Sequence, residues 1–326
     1  MTRHISKFIL LVGLLLYPKG ALSVDYIYVT SSDANVVSVI DSSRGMVIRE
    51  IPVGDEPCDI AIDSAGRWVA VSHEKRRGEI WFLDRKTLQV QHKTLLIKET
   101  KRKTNCFFLA FSKDGGKLYA VNRFSGILYV VDPSAGKVTK TIRLGPKDKQ
   151  RFGGAVLSPN GRFLYIPNEA GREIIVVDTS RDIRYEVIQV PGIPSEIALS
   201  TDGKTLYMTN PENSSLDIMD IATKRIEKQV PVENSPLRVV ASPDGRFLYV
   251  TNLISYSMSI IDTQQQITVA NIPVGAYPIG VAVSADGRSV YVSNYNEDSI
   301  SVIDTATNRE RWRVPTTSTP VMLTVY

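Results

Sequence analysis

A unit of about 42 residues recurs along this chain and limits its possible folds more than any other feature. The clearest copy, residues 236–275, contains PLRVVAS, PDG, RFLYVTN, SMSIID and ITVANIPVG. Each of the longer stretches alternates apolar and polar residues, is rich in Val, Ile and Tyr, and ends at a turn signal, as short β-strands do. The Asp-Gly pair after the first stretch favours a tight hairpin, because glycine accepts a positive φ. Four antiparallel strands in a repeat of this length predict the blade of a β-propeller.

Two landmarks count the copies. The residue that ends the second strand of each copy is Ser31, His73, Asn122, Asn168, Asn210, Asn252 or Asn294. The aspartate that closes the third strand is Asp41, Asp84, Asp132, Asp178, Asp220, Asp262 or Asp304. Both landmarks give seven. Residues 24–326 are therefore predicted to form an all-β, seven-bladed β-propeller of four-stranded antiparallel blades.

The two ends of the repeat region complement each other. The first copy begins at its second strand, at Tyr26, whereas Pro320–Tyr326 aligns with a first strand that has no second strand after it. We expect this C-terminal strand to join the N-terminal blade. Such closure would remove the exposed sheet edges that otherwise template aggregation.

Residues 1–23 have the pattern of a cleaved secretory signal peptide. A basic head with Arg3 and Lys7 precedes ten apolar residues, 8–17, and Ala21-Leu22-Ser23 supplies small residues for cleavage. An uncleaved anchor is the alternative, although ten apolar residues are too few to cross a bilayer. No later run reaches 18 apolar residues, so we expect a mature chain without a transmembrane segment, in the periplasm or outside the cell.

The strand motifs resemble those of a known family. YVTN at 249–252, YVSN at 291–294 and YMTN at 207–210, with VID or VVD closing the third strand, are similar to the YVTN-family β-propeller repeats of bacterial secreted or periplasmic proteins. The resemblance covers nearly all of residues 26–326 and implies the fold. Seven-bladed relatives of this kind include accessory proteins associated with periplasmic quinoprotein alcohol oxidation, which implies an association but no reaction. Propellers host enzymes, electron-transfer subunits and binding modules alike.

One ring of positions points to a binding site at the mouth of the central channel. Two residues after the start of the innermost strand, the blades carry Asp59, Phe108, Gly154, Glu196, Arg238, Gly280 and Met322. Three are charged where packing needs only small or apolar residues, and converging charges in a concave mouth are typical of a ligand site. The alternative is that Glu196 and Arg238, from adjacent blades, simply pair across the channel wall.

The two cysteines occupy nearly equivalent repeat positions. Cys106 takes the place of the proline that opens the innermost strand, and Cys58 lies one residue beyond that place in the preceding blade. An oxidising location favours a disulfide between them. Two buried free thiols are the alternative.

A second candidate surface is basic. Residues 24–173 hold 24 basic and 17 acidic residues, whereas residues 174–326 hold 12 and 17, so the mature chain is electrically polarised. Expanded loops near the top face supply a predicted partner-binding crescent: Lys75, Arg76, Arg77, Lys101, Arg102, Lys103, Lys147, Lys149 and Arg151. We expect an anionic protein, or a small-molecule or polysaccharide ligand; a secretory address disfavours nucleic acid. Loops that only confer solubility are the alternative.

Little in the sequence indicates catalysis. His73 replaces the landmark asparagine and is interpreted as a loop cap rather than a base or ligand, and His92 lies toward the outer edge. We identify no catalytic set, no metal site and no cofactor motif. The function expected here is therefore a monomeric, non-enzymatic binding or scaffold propeller. The alternative is an enzyme or redox accessory subunit, either a lactonase-like hydrolase or a quinoprotein-dehydrogenase-associated component.

Overall fold

A computed structural model describes residues 25–74, 78–96, 106–146 and 150–326. The predicted signal peptide, residues 1–23, lies outside the described residues. Within the described ranges, no helix has the length and apolar character that crossing a membrane requires. The described residues form seven four-stranded antiparallel sheets, which confirms the predicted fold.

Blade 1 contains both ends of the described chain, and the other blades follow in chain order. Its strands, from the channel outward, are β28 (Pro320–Val325), β1 (Tyr26–Ser31), β2 (Val36–Asp41) and β3 (Met46–Pro52). Blades 2 and 3 comprise β4 (Pro57–Ile62), β5 (Trp68–His73), β6 (Glu79–Asp84), β7 (Val90–Leu95), β8 (Phe107–Phe111), β9 (Leu118–Asn122), β10 (Ile127–Asp132) and β11 (Lys137–Arg143). Blades 4 and 5 comprise β12 (Val156–Leu157), β13 (Phe163–Asn168), β14 (Glu173–Asp178), β15 (Ile183–Gln189), β16 (Ile197–Leu199), β17 (Thr205–Asn210), β18 (Ser215–Asp220) and β19 (Arg225–Pro231). Blades 6 and 7 comprise β20 (Pro236–Ala241), β21 (Phe247–Asn252), β22 (Ser257–Asp262), β23 (Ile267–Pro273), β24 (Pro278–Val283), β25 (Ser289–Asn294), β26 (Ser299–Asp304) and β27 (Arg309–Pro315), with a 3-10 turn at Tyr295–Glu297.

The ring closes through blade 1 as expected. Strand β28 pairs antiparallel with β1, with Tyr28 opposite Thr324. The pairing extends to Tyr326, whose backbone nitrogen and oxygen both bond Tyr26, at 3.0 and 2.9 Å. Both landmarks also fall where the repeat places them, at the ends of the second and third strands of every blade.

Apolar side chains between neighbouring sheets hold the blades together. One buried cluster joins Phe82 of blade 2 to Phe107, Leu118 and Val131 of blade 3, and all four are fully buried. Close packing of this kind fixes each sheet against the next. The inner ends of the first strands are therefore held rigidly around the channel.

A Ser or Thr hydroxyl cross-links several blades at the channel. In blade 6, Thr251 accepts a hydrogen bond from the backbone nitrogen of Arg238 (3.2 Å) and donates one to the carbonyl of Ile279 in blade 7 (3.3 Å). Equivalent pairs of bonds are made by Ser72, Thr209 and Ser293. We call this pair of bonds the hydroxyl cross-link. Blades 3 and 4 have Val121 and Pro167 at the same place, and neither residue carries a hydroxyl.

Candidate functional site

The hydroxyl cross-link fixes the backbone of all three charged residues predicted at the channel mouth. Ser72, Thr209 and Thr251 accept hydrogen bonds from the backbone nitrogens of Asp59, Glu196 and Arg238, respectively. The hydroxyl residue at the third position of the YVTN motif therefore fixes the backbone of the charged channel-mouth residue in its own blade. Since the hydroxyls are buried, water does not compete for these bonds.

Two cavities meet at the channel mouth and share Glu196, Arg238 and Met322. The inner cavity, of about 310 Å³, is lined by these three residues and by Asp59, Leu109 and Gly154, among others. The outer cavity measures about 490 Å³. Besides the three shared residues, its lining includes Cys58, Glu74, Cys106, Phe108, Arg123, Phe124, Gly153, Glu169, Ser195, Leu237, Ile279 and Val321.

Arg238 and Glu196 form an ion pair where the two cavities join. The Nη1 atom of Arg238 lies 2.7 Å from Oε2 of Glu196. The backbone nitrogen of Gly154 donates a further bond of 3.3 Å to that same oxygen. A Cβ atom on residue 154 would overlap the Glu196 carboxylate, so glycine is required for this close approach. Burial raises the pKa of Glu196 and the Arg238 guanidinium opposes that rise. Across-blade pairing, one of the two interpretations of the sequence, therefore occurs here, and the pair also lines both cavities.

Asp59 lies in the inner cavity and is 6% exposed. Its Oδ2 atom accepts a 2.8 Å hydrogen bond from the backbone nitrogen of Leu109 in the next blade. Burial raises the pKa of Asp59 to about 6, while the charge of Arg238 and the backbone hydrogen bonds limit the rise. The carboxyl can therefore gain and lose a proton near neutral pH, as a general acid or base must.

A second charged cluster, not predicted from sequence, lines the outer cavity. Glu169 accepts from Nε of Arg151 at 2.9 Å and lies 3.8 Å from Nη2 of Arg123. Burial raises the pKa of Glu169 and lowers that of Arg123. Glu74, Arg123 and Glu169 each directly follow the second-strand landmark in blades 2, 3 and 4. Comparing the copies one position further along would have found them.

The structure joins Cys58 and Cys106 in a disulfide, with their Cα atoms 5.9 Å apart. The bond ties the starts of two neighbouring inner strands at the rim of the outer cavity. The next residue after Cys58 is Asp59, and the carbonyl of Cys106 accepts a 3.1 Å bond from the backbone nitrogen of Arg123. The disulfide is therefore linked through one peptide bond to Asp59, and through one hydrogen bond to Arg123 of the second charged cluster.

Most of the predicted basic crescent lies outside the described residues: Lys75, Arg76, Arg77, Lys101, Arg102, Lys103, Lys147 and Lys149. The structure describes Arg151 and places it against Glu169, inside the second charged cluster. Arg151 itself is not among the residues that line either cavity.

His73 is buried and acts as a loop cap. Its Nε2 atom accepts from the backbone nitrogen of Gly54 at 3.1 Å, and its Nδ1 atom lies 3.3 Å from the carbonyl oxygen of Glu79. Burial lowers the pKa of His73 to about 4, so the ring is neutral at pH 7. Both nitrogens are engaged within the protein, which agrees with the capping interpretation of the sequence.

Three comparisons with known proteins add to this geometry. The protein-family model described as "Lactonase, 7-bladed beta-propeller" matches residues 127–268, and the family model described as "Cytochrome D1 heme domain" matches residues 237–322. Each covers less than half of the chain. No curated protein matches the chain in sequence.

Solved structures share the fold over most of the chain. A putative 6-phosphogluconolactonase from Bacteroides fragilis is 16% identical, with a TM-score of 0.75 over 95% of this chain and 100% of that one. Hydrazine synthase from Kuenenia stuttgartiensis is 20% identical, with a TM-score of 0.70 over 83% and 95%. Dihydro-heme d1 dehydrogenase NirN, in complex with DHE, is 17% identical, with a TM-score of 0.67 over 91% of this chain and 64% of that one.

These findings overturn the expectation of a non-enzymatic scaffold and favour its alternative, an enzyme or redox accessory subunit. Residues 127–268 match a lactonase family model, and the propellers of similar fold named above are described as a putative lactonase, a synthase and a dehydrogenase. Asp59, Glu196 and Arg238 lie one to a blade, so they form no compact sequence motif that would indicate catalysis.

Among the described residues, neither cavity offers a histidine or a free cysteine to ligate the iron of the haem that the second of these family models implies. A histidine is the usual proximal ligand of haem iron, but His73 is engaged on both ring nitrogens and His92 lies on β7, the outermost strand of blade 2. Both cysteines are in the disulfide. Across the described ranges, no group of three metal-ligating side chains converges.

Proposed function

We propose that this propeller is a hydrolase of lactones or related activated esters, with its active site in the inner cavity. The observation that carries the proposal is Asp59, a buried carboxyl whose pKa of about 6 suits a general base, in the same cavity as a guanidinium held in place by Glu196. The partial match to the lactonase model supports it.

In this mechanism, Asp59 takes a proton from a water molecule as the water oxygen attacks the carbonyl carbon. The negative charge that develops on the carbonyl oxygen is stabilised by Arg238, which lines the cavity and has N–H donors beyond the one in its pair with Glu196. The carbon–oxygen bond of the ring then breaks, and Asp59 returns its proton to the departing oxygen. The net reaction adds one water to the lactone and gives a hydroxy acid.

The test is a panel of lactones assayed by proton release, with wild-type protein and Asp59→Asn. We expect Asp59→Asn to lower kcat by about 100-fold or more, the usual contribution of a general base. Asp244→Asn is the matched control, because Asp244 lies in a hairpin turn where it bonds Ser242, away from both cavities. Wild-type protein that hydrolyses none of the lactones, or Asp59→Asn protein with full activity, would refute the proposal.

A redox accessory role is the second candidate, and the match of residues 237–322 to the haem-domain model is the observation that favours it. A visible spectrum of protein purified from its native host separates the two candidates. A haem band that persists through purification would favour the redox role over hydrolysis.

A further inference from the structure

The two cavities differ in chemistry, although they share a wall. The outer cavity presents six large apolar side chains: Phe108, Phe124, Leu237, Ile279, Val321 and Met322. Its polar lining consists mainly of charged groups of the two clusters described above. A ligand that enters the outer cavity therefore contacts apolar side chains and a few charged side chains between them.

Four of the charged groups that line the outer cavity form ion pairs with each other or with Arg151, which is not itself a lining residue. Glu196 bonds Arg238 at 2.7 Å, and Glu169 bonds Arg151 at 2.9 Å. The hydroxyl of Ser195 lies 3.5 Å from Glu169. A sugar lactone buries several hydroxyls, and each would need a hydrogen-bond partner in exchange for water. Apart from the charged groups, Ser195 is the one neutral hydrogen-bonding side chain in the described lining of the outer cavity.

Arg123 has the longest ion pair among these groups. Its Nη2 atom is 3.8 Å from Glu169, a distance that leaves its N–H donors available to a ligand. Its guanidinium carbon lies 5.6 Å from the ring centre of Phe108 and 5.7 Å from that of Phe124. The guanidinium carbon of Arg238 lies 5.2 Å from the centre of the same Phe108 ring. Both arginines of the lining are therefore close to aromatic rings of the lining.

We propose that the outer cavity binds an aromatic group carrying a carboxylate, so that the preferred substrates are aryl-bearing carboxylate lactones or esters rather than sugar lactones. Phe108 and Phe124 contact the ring, and Arg123 binds the carboxylate through charge-assisted hydrogen bonds. The scissile carbonyl then reaches Arg238, which lines both cavities, with Asp59 beyond it. This substrate class rests on the proposed hydrolase function.

Binding can be tested without any reaction, by titration calorimetry of the intact protein with three probes. The probes are 3-phenylpropanoate, which has both features; 3-phenylpropanamide, which lacks the charge; and gluconate, which replaces the ring by hydroxyls. We expect 3-phenylpropanoate to bind about tenfold or more tightly than either of the others. Gluconate that binds as tightly as 3-phenylpropanoate, or no heat from 3-phenylpropanoate at millimolar concentrations, would overturn the inference.

Two variants locate the binding. Phe124→Ala and Arg123→Gln alter partly exposed side chains, and each should weaken 3-phenylpropanoate by about tenfold. Tyr185→Ala is the control, because Tyr185 is an exposed aromatic on β15, outside both cavities. Unchanged affinity in both cavity variants would also overturn the inference.

The outcomes separate this inference from the proposed hydrolysis. Selective binding of 3-phenylpropanoate with no hydrolysis of any lactone would refute the hydrolase and leave the ligand class standing. Hydrolysis of gluconolactone, dependent on Asp59 and faster than that of a carboxylated aryl lactone such as a dihydrocoumarin carboxylate, would support the hydrolase and refute the ligand class.

Discussion

Neighbouring blades meet at contacts that we call seams. Different chemical groups join the inner strands at the seam of blades 6 and 7 and at the seam of blades 4 and 5. At the first, Thr251 provides the hydroxyl cross-link, and the inner strand Pro278–Val283 is six residues long. At the second, Pro167 has no hydroxyl to offer, and the inner strands Val156–Leu157 and Ile197–Leu199 have two and three residues.

In one of the two blades that lack the hydroxyl, an ionisable group takes over its contact with the neighbouring blade. At the seam of blades 4 and 5, the Glu196 carboxylate accepts from the backbone of Gly154 and so crosses between the blades itself. That carboxylate also pairs with Arg238 and lines both cavities. At the seam of blades 4 and 5, which we call the irregular seam, Glu196 therefore both joins the blades and lines the cavities. At the seam of blades 6 and 7, the regular seam, the Thr251 hydroxyl joins the blades and a different residue, Arg238, lines the cavities.

The largest expected effect comes from breaking the ion pair at the irregular seam. Arg238→Ala leaves the buried Glu196 carboxylate without its guanidinium, and losing one partner of a buried pair costs about 3–5 kcal/mol. Urea denaturation at pH 7 measures the loss of unfolding free energy. The double variant Arg238→Met with Glu196→Gln removes both charges and should be more stable than Arg238→Ala alone. A loss below about 1 kcal/mol in Arg238→Ala would show that the pair is not needed to hold the seam.

The disulfide should have the next largest effect. Replacing Cys58 and Cys106 together by serine frees a loop with a sequence separation of 48, and we expect a loss of about 2–4 kcal/mol in unfolding free energy. Because Asp59 is bonded to Leu109 between the same two strands, the pH profile of activity should shift as well. Loss of stability with an unchanged pH profile would show that the disulfide does not position Asp59.

The sequence predicted the ring of channel positions because the repeat register places equivalent residues at equivalent heights. It also identified Glu196 and Arg238 as neighbours, since adjacent blades bring adjacent copies together. It did not predict that Asp59 bonds Leu109, because that contact depends on a side-chain rotamer and on the angle between two sheets. It missed Glu169 because the copies were compared only up to the landmark that ends the second strand, and Glu169 is the next residue.

At the regular seam, the effect of losing the hydroxyl should be smaller. Thr251→Val keeps the shape of the side chain but removes the hydroxyl that bonds the nitrogen of Arg238 and the carbonyl of Ile279. Leaving buried backbone groups without partners costs about 1–3 kcal/mol. Urea denaturation measures this loss. The proposed lactone hydrolysis should be mostly retained, since the Arg238 side chain keeps its pair with Glu196. A Thr251→Val protein as stable as the wild type would contradict a structural role for the motif threonine.

The smallest expected effects concern two buried groups of blade 2, Asp59 and His73, whose pKa values shift in opposite directions because burial favours the neutral form of each. Asp59 holds its proton up to a pKa of about 6, so between roughly pH 4 and 6 the folded state binds more protons than the unfolded state, and this group's contribution to stability falls as pH rises. His73, with a pKa of about 4, stays neutral in the folded state while the unfolded chain gains a proton, so its contribution falls as pH drops from about 6.5 to 4. The two slopes oppose each other in the wild-type protein.

Relative to wild type, Asp59→Asn should gain roughly 1–3 kcal/mol of unfolding free energy as pH rises from 4 to 7, and His73→Asn should gain a similar amount as pH falls over that range. Melting curves of the three proteins at pH 4, 5, 6 and 7 measure both trends. If the difference in stability between Asp59→Asn and wild type did not change with pH, the carboxyl proposed as the general base would ionise as an ordinary surface aspartate does.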